Sequence, residues 1–160
     1  MSRMPKVLAV ASGGGHWIQL TRLLPAWDGC EVSYVATDWA FREQMCAVAK
    51  ARGNPEPGYY VVPDANRWQK AKLVKQLAIL IWIMLKVRPD AVITTGAAPG
   101  YFALRLGKML GARTAWVDSI ANADELSLSG RQAGPYATLW LTQWPDIEEP
   151  GGPLYRGAVL

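Results

Sequence analysis

The residues best suited to chemistry are Ser12-Gly13-Gly14-Gly15-His16, set directly after the aliphatic run Val7-Leu8-Ala9-Val10-Ala11. Clustered glycines let a backbone approach a ligand closely, and a helix starting behind them offers free N–H groups to an anion. His16 is the only histidine in the chain. A neutral imidazole there can take a proton from an attacking hydroxyl, or can only orient a ligand by hydrogen bonding. An anion cradle beside one titratable ring suits reaction on a phosphorylated molecule. The plainer alternative is a tight turn with no ligand. The loop is not a dinucleotide fingerprint, because Ile18 stands where its third glycine belongs, and it lacks the Gly-Lys-Ser/Thr of a P-loop.

A second small-residue loop, Gly96-Ala97-Ala98-Pro99-Gly100, follows Thr94-Thr95. Two such loops side by side can hold a pyrophosphate by backbone N–H groups alone, with Ser12, Thr94 and Thr95 adding hydroxyls. Simple turn chemistry is the alternative. A third group is Asp118-Ser119, with Asn122 beyond it. A carboxylate after a strand suits substrate contacts or catalysis, and equally suits a helix cap. Asp38 is placed like the ribose-binding acid of a dinucleotide fold, which keeps an NAD- or flavin-binding oxidoreductase domain as an alternative. No metal is expected, since Asp/His clusters with ligand spacing are missing.

These residues need elements to hold them. The patterning predicts strands over Val7–Ala11, Glu31–Thr37, Gly58–Val62, Ala91–Thr95, Arg113–Val117 and Thr138–Thr142. Helices are predicted over Trp17–Leu24, Phe41–Arg52, Trp68–Val87 and Tyr101–Leu110, with Pro25, Gly53 and Pro55 as stops. Strand and helix alternate, which predicts an α/β fold: a Rossmann-like, doubly wound parallel sheet over residues 1–160 as one domain. All three candidate groups would then lie at the carboxyl edge of the sheet, where such folds bind ligands.

The 160 residues suffice for one domain with a real core and are too few for two. Hydrophobic residues make up 51% and charged residues 19%, so a folded globule is expected. The net charge of +4 suits an anionic lipid surface or a phosphorylated substrate. Nucleic-acid binding is not expected, because no dense basic run with interleaved aromatics occurs. Eight tryptophans favour interfaces with partners or membranes. Cys30 and Cys46 fit no metal spacing and read as reduced thiols of a cytosolic protein. The start of the chain, Met1 to Lys6, leads straight into the first strand, and no signal peptide is expected.

The run Leu77–Leu85 is apolar on every helical face. Its nine residues rise only about 13–14 Å, short of the roughly 20 residues that span a bilayer. Lys70, Lys72 and Lys75 precede it, and Lys86 and Arg88 follow. A helix lying in the lipid interface is expected, with Lys72, Lys75, Leu77, Leu80, Ile81, Trp82, Met84 and Lys86 meeting the membrane. A crossover helix buried against the sheet is the alternative.

The series Ser12-Gly13-Gly14-Gly15-His16, Thr94-Thr95-Gly96-Ala97-Ala98-Pro99, Asp118-Ser119-Ile120-Ala121, Leu126-Ser127-Leu128-Ser129-Gly130, Gln143-Trp144-Pro145-Asp146 and Tyr155-Arg156-Gly157 resembles a family. It is similar to the membrane-anchoring, acceptor-binding subunit of two-subunit UDP-sugar glycosyltransferases, which act in dolichol-linked oligosaccharide and bacterial capsule or exopolysaccharide synthesis. One departure is Asp118, where the family more often has Glu. No counterpart of the eukaryotic subunit's N-terminal transmembrane anchor is expected, so that Leu77–Leu85 would have to serve instead.

The resemblance implies the N-terminal half of a GT-B glycosyltransferase, active as a complex with a separate catalytic, UDP-sugar-binding subunit. The acceptor would be a polyprenyl-pyrophosphate sugar at the cytoplasmic face of the membrane, with a UDP-sugar as donor and no cofactor. His16 and Asp118 would be catalytic. Ser12, Gly13, Gly14, Gly15, Thr95, Gly96, Ala97, Ala98, Pro99, Ser119 and Asn122 would bind the acceptor pyrophosphate. The segment from Gln143, with Trp144, Pro145, Tyr155 and Gly157, would meet the partner; a tail folding back on its own domain is the alternative. A non-catalytic scaffold that recruits the catalytic subunit to the membrane is the other functional reading.

Overall fold

The computed structural model describes residues 3–66 and 68–159; Met1, Ser2 and Leu160 at the ends of the expected domain span, and Arg67, lie outside the described residues. The elements run β1 (Lys6–Val10), α1 (Gly15–Arg22), β2 (Glu31–Ala36), α2 (Arg42–Ala51), β3 (Gly58–Val61), α3 (Lys70–Val87), β4 (Ala91–Thr94), α4 (Ala97–Met109), β5 (Arg113–Val117), α5 (Leu128–Ala133), β6 (Leu139–Thr142) and β7 (Leu154–Tyr155). The strands form one sheet in the order β3-β2-β1-β4-β5-β6-β7, and every neighbouring pair is parallel. The expected Rossmann-like, doubly wound sheet is therefore observed, with two elements the sequence did not announce, α5 and β7.

Alternation along the strands divides the core. Leu8, Val10, Val35 and Val92 face α3 and α4, packing on Leu80, Ile83, Met84, Val87 and Ala103. Val7, Ala9, Tyr34 and Ala36 face α1 and α2, packing on Trp17, Leu20 and Met45. Trp17 stacks on Phe41 with centroids 4.9 Å apart and meets Tyr59 edge-on. Burial pushes the Tyr59 hydroxyl up to about 12, so it stays protonated and donates to the Asp38 carbonyl at 2.6 Å.

The structure corrects the reading of α3. Gln76, Leu80, Ile83, Met84 and Val87 form one buried stripe at three- and four-residue spacing. Leu80 and Met84 are thus core residues and do not meet a membrane, and Leu77 is half-buried. The opposite face is where the apolar character is unusual. Val74, Ile81, Trp82 and Leu85 are exposed there at 68%, 42%, 54% and 57%. Lys72, Lys75 and Lys86 are exposed alongside them. The Lys86 ammonium sits 4.8 Å from the Trp82 ring centroid and 5.2 Å from that of Tyr60. Among the described residues, no helix is long and apolar enough to cross a membrane.

Candidate functional site

The chain turns one way from β1 to β2 and the other way from β3 to β4, so the topological switch point falls between β1 and β4. Both glycine loops leave the carboxyl ends of these two adjacent strands. That is the place where open α/β sheets bind ligands. Local chemistry shapes each loop. Gly13 N–H donates to Thr37 Oγ1 at 3.0 Å, and Gly14, at φ +68°, turns the chain into α1. Gly96 N–H donates to Thr94 Oγ1 at 3.1 Å. Ala97 follows at φ +65°, a left-handed conformation that costs a non-glycine residue about 1–3 kcal/mol.

His16 joins the loops. Its Nδ1 lies 2.8 Å from the Thr95 carbonyl, and the Thr95 hydroxyl donates to the His16 carbonyl at 2.6 Å. A carbonyl only accepts, so Nδ1 carries a proton there and Nε2 is the ring nitrogen that Thr95 leaves uncommitted. Thr95 is fully buried, and its hydroxyl and carbonyl are both spent on His16. It therefore holds the imidazole, and its hydroxyl is engaged there and not turned toward a pyrophosphate.

Both helices start earlier than the pattern predicts. In α1 the first intrahelical bond runs from Ile18 N–H to the Gly14 carbonyl at 3.1 Å. The N–H groups of Gly15, His16 and Trp17 have no intrahelical acceptor. Ala97, Ala98 and Pro99 form the first turn of α4, where a proline costs nothing because its missing N–H would be unpaired anyway. Two helix N-termini thus converge beside His16, and their dipoles favour an anion there.

Gly96 shows how tight the join is. A Cβ built on it would lie 2.7 Å from His16 Cε1 and 2.8 Å from Nδ1. Gly96→Ala is expected to push the imidazole off Thr95. The NMR signals of His16, the only histidine in the chain, check this, and wild-type ring signals in the folded variant would show that the ring has room to stay.

The third group is a clamp. Asp118 is 2% exposed. Its carboxylate accepts from Trp116 Nε1 at 3.0 Å, Asn122 Nδ2 at 3.0 Å, Ser127 N–H at 3.0 Å and Ser127 Oγ at 2.6 Å. Gly130 leaves room for Oδ1, which a Cβ there would strike. With four donors engaged, the Asp118 carboxylate folds its own loop, and Asp118→Asn tests whether it has a part in catalysis as well. Asn122 is held in the same clamp. Ser119 is 8% exposed, and its hydroxyl accepts from Gln19 Nε2 at 3.1 Å and Ala121 N–H at 3.3 Å. The Ser119 hydroxyl is thus engaged inside the protein, while Asn122 is half-buried and gives one amide N–H to Asp118.

The C-terminal segment also folds inward. Gln143 is 3% exposed and donates to Gln19 Oε1 at 2.6 Å and the Asp118 carbonyl at 2.8 Å, while its Oε1 accepts from Val159 N–H at 2.8 Å. Trp144 Nε1 donates to the Ile120 carbonyl at 2.8 Å. Tyr155 belongs to β7, at the edge of the sheet. Gln143 is thus an internal tie; Trp144 is tied through its indole but half-buried, and Pro145 and Gly157 are exposed. Gln19 was missed by the sequence reading. A polar residue on the otherwise apolar inner side of α1 was the available signal. Asp38 Oδ1 caps the turn after β2 by accepting Ala40 N–H at 2.9 Å. No group of three or more metal-ligating side chains occurs among the described residues.

Comparison with known proteins agrees with this architecture. No family model matches the chain. The fold is that of one Rossmann-like unit of the GT-B glycosyltransferases. MurG of Acinetobacter baumannii superposes with a TM-score of 0.72 at 16% identity, over 94% of this chain and 45% of that one. A UDP-N-acetylglucosamine 2-epimerase superposes with a TM-score of 0.63 at 15% identity, over 88% and 42%. The chain thus spans less than half the length of these solved proteins.

Within that class, the family resemblance carried by the motifs is borne out by named relatives. The chain is 26% identical to the UDP-N-acetylglucosamine transferase subunit alg14 of Schizosaccharomyces pombe, over 88% of this chain and 76% of the relative. It is 27% identical to the corresponding ALG14 subunit of Eremothecium gossypii, over 89% and 74%.

Proposed function

We propose that the chain is the acceptor-binding subunit of a two-subunit inverting glycosyltransferase. It would transfer a sugar from a UDP-sugar to a polyprenyl-pyrophosphate-linked sugar. The observation that supports this best is the His16 imidazole, half-buried and held at Nδ1 by Thr95, between two helix N-termini at the switch point. The names of the ALG14 relatives support a transferase subunit and UDP-N-acetylglucosamine as the first donor to try.

In this reading Ser12 to Gly15 and Gly96 to Pro99 surround the acceptor pyrophosphate. His16 Nε2 faces the acceptor hydroxyl and takes its proton as the oxygen attacks the anomeric carbon. The new bond forms from that oxygen, the bond from the anomeric carbon to the UDP phosphate breaks, and UDP leaves from the opposite face. Thr95 fixes the ring so that the lone pair is already aimed. A second Rossmann-like subunit would supply the UDP-sugar site, and co-purification of the two chains tests the partnership. Failure of every candidate donor-side subunit to bind would count against it.

The exposed stripe of α3 supports docking at a membrane surface, which in this reading is the cytoplasmic face. Wild-type protein is expected to float with anionic liposomes. Ile81→Ser with Leu85→Ser removes two exposed apolar side chains, each worth about 1.5–3 kcal/mol if fully buried. Because both are only about half exposed, binding should weaken roughly tenfold or more, with a modest fall in Tm from the packing lost on their covered sides. Wild-type protein that stays in the soluble fraction would remove the membrane from the reading.

A further inference from the structure

Gln19 lies three residues after His16 on α1, so the two project from neighbouring positions of the same short helix. It is 5% exposed. Its Oε1 accepts from Ile120 N–H at 3.0 Å and from Gln143 Nε2 at 2.6 Å, and its Nε2 donates to Ser119 Oγ at 3.1 Å. These bonds span 100 to 124 residues of sequence. Gln143 extends the network to the Asp118 carbonyl and to Val159 N–H, each at 2.8 Å. The helix that carries the imidazole follows β1, and the loop it grips follows β5. Strand β4, with its glycine loop, lies between them.

We propose that Gln19 is a positioning residue, whose carboxamide sets the distance between the His16 helix and the Asp118–Asn122 loop across the carboxyl edge. It deepens the proposed transferase reading and rests on that reading for its consequence in catalysis. An apolar side chain would fill the same space without needing partners. A buried carboxamide with both ends satisfied instead holds one geometry, because any shift leaves polar groups unpaired. Through Gln143 the same geometry is tied to Val159, so that segment and the helix that carries the imidazole share one network.

The test uses Gln19→Leu, Gln19→Glu and the milder Ser119→Ala, each in the full chain. Because His16 is the only histidine, its ring gives a single, assignable NMR signal. Gln19→Leu should shift or broaden that signal and speed hydrogen exchange at the Ile120 and Val159 amides. Gln19→Glu keeps both accepted bonds and lets the Ser119 hydroxyl turn to donate, so it should restore the wild-type signal. Ser119→Ala removes one bond and should give a smaller shift if the leucine variant does not fold.

An imidazole signal unchanged in every folded variant would overturn the positioning role, whatever the activity. In the reconstituted enzyme, Gln19→Leu should lower kcat tenfold or more with the donor KM unchanged. Gln19→Glu should recover to within about threefold of wild type. A wild-type kcat for Gln19→Leu would overturn the catalytic consequence. An inactive wild-type pair whose imidazole still responds to Gln19→Leu would sink the transferase reading and leave the positioning intact.

Discussion

Replacing His16 by alanine is expected to cut turnover by about 10²–10⁴-fold, the range for removing a positioned general base. The fold should survive. Stranding the Thr95 carbonyl costs about 1–3 kcal/mol, and the ring itself is only half-buried at the edge of the sheet. Partner binding should also survive, since the imidazole's contacts are internal to the two glycine loops. The comparison is therefore kcat of the wild-type and His16→Ala complexes at equal complex concentration. Lost turnover with intact assembly places the base in this chain. Unchanged turnover would assign the proton to a group on the donor-side subunit and favour a scaffold that only recruits it.

Asp118→Ala is expected to have the largest effect on stability. It leaves four donors without their acceptor. The Asn122 amide and the Ser127 hydroxyl can turn toward water. The Trp116 indole cannot, because that residue is fully buried. At about 1–3 kcal/mol per stranded buried donor, a loss of roughly 3–5 kcal/mol is expected. For a domain of this size that lowers Tm by roughly 10 °C. Asp118→Asn should also destabilise, since its NH2 group faces a donor wherever it is turned. Thermal melts measure both losses. Below the melts, the folded Asp118→Asn enzyme should retain turnover within a few-fold of wild type. A stable Asp118→Asn protein with abolished turnover would restore the carboxylate to the chemistry and contradict the clamp.

The parallel sheet was legible because its strands are short aliphatic runs, each followed by glycine, proline or a polar turn before an apolar helix. The glycine loops were legible for the same reason, and so was their meeting at the switch point once the alternation was read. The face of α3 was not. A segment apolar all round does not reveal that Leu80 and Met84 point inward while Ile81 and Leu85 point out. The start of α4 was misplaced because Pro99 resembles a loop residue, although the first helical turn accepts it. Two-residue β7 is too short to show a period. The roles of Gln19, Asp118 and Gln143 depend on long-range partners, and single-sequence spacing carries no signal of such pairs. A carboxylate after a strand looks the same whether it meets a substrate or its own loop.

The central claim is that this chain supplies the acceptor side of a transferase completed by a second subunit. The most direct measurement is the mass of a polyprenyl-pyrophosphate sugar after incubation with UDP-N-acetylglucosamine. It would be made with this chain alone, the donor-side subunit alone, and both together. Gain of one N-acetylhexosamine in the mixture, and in neither single-chain sample, is the predicted result. An acceptor left unchanged by the assembled pair, across a panel of UDP-sugars, would contradict it.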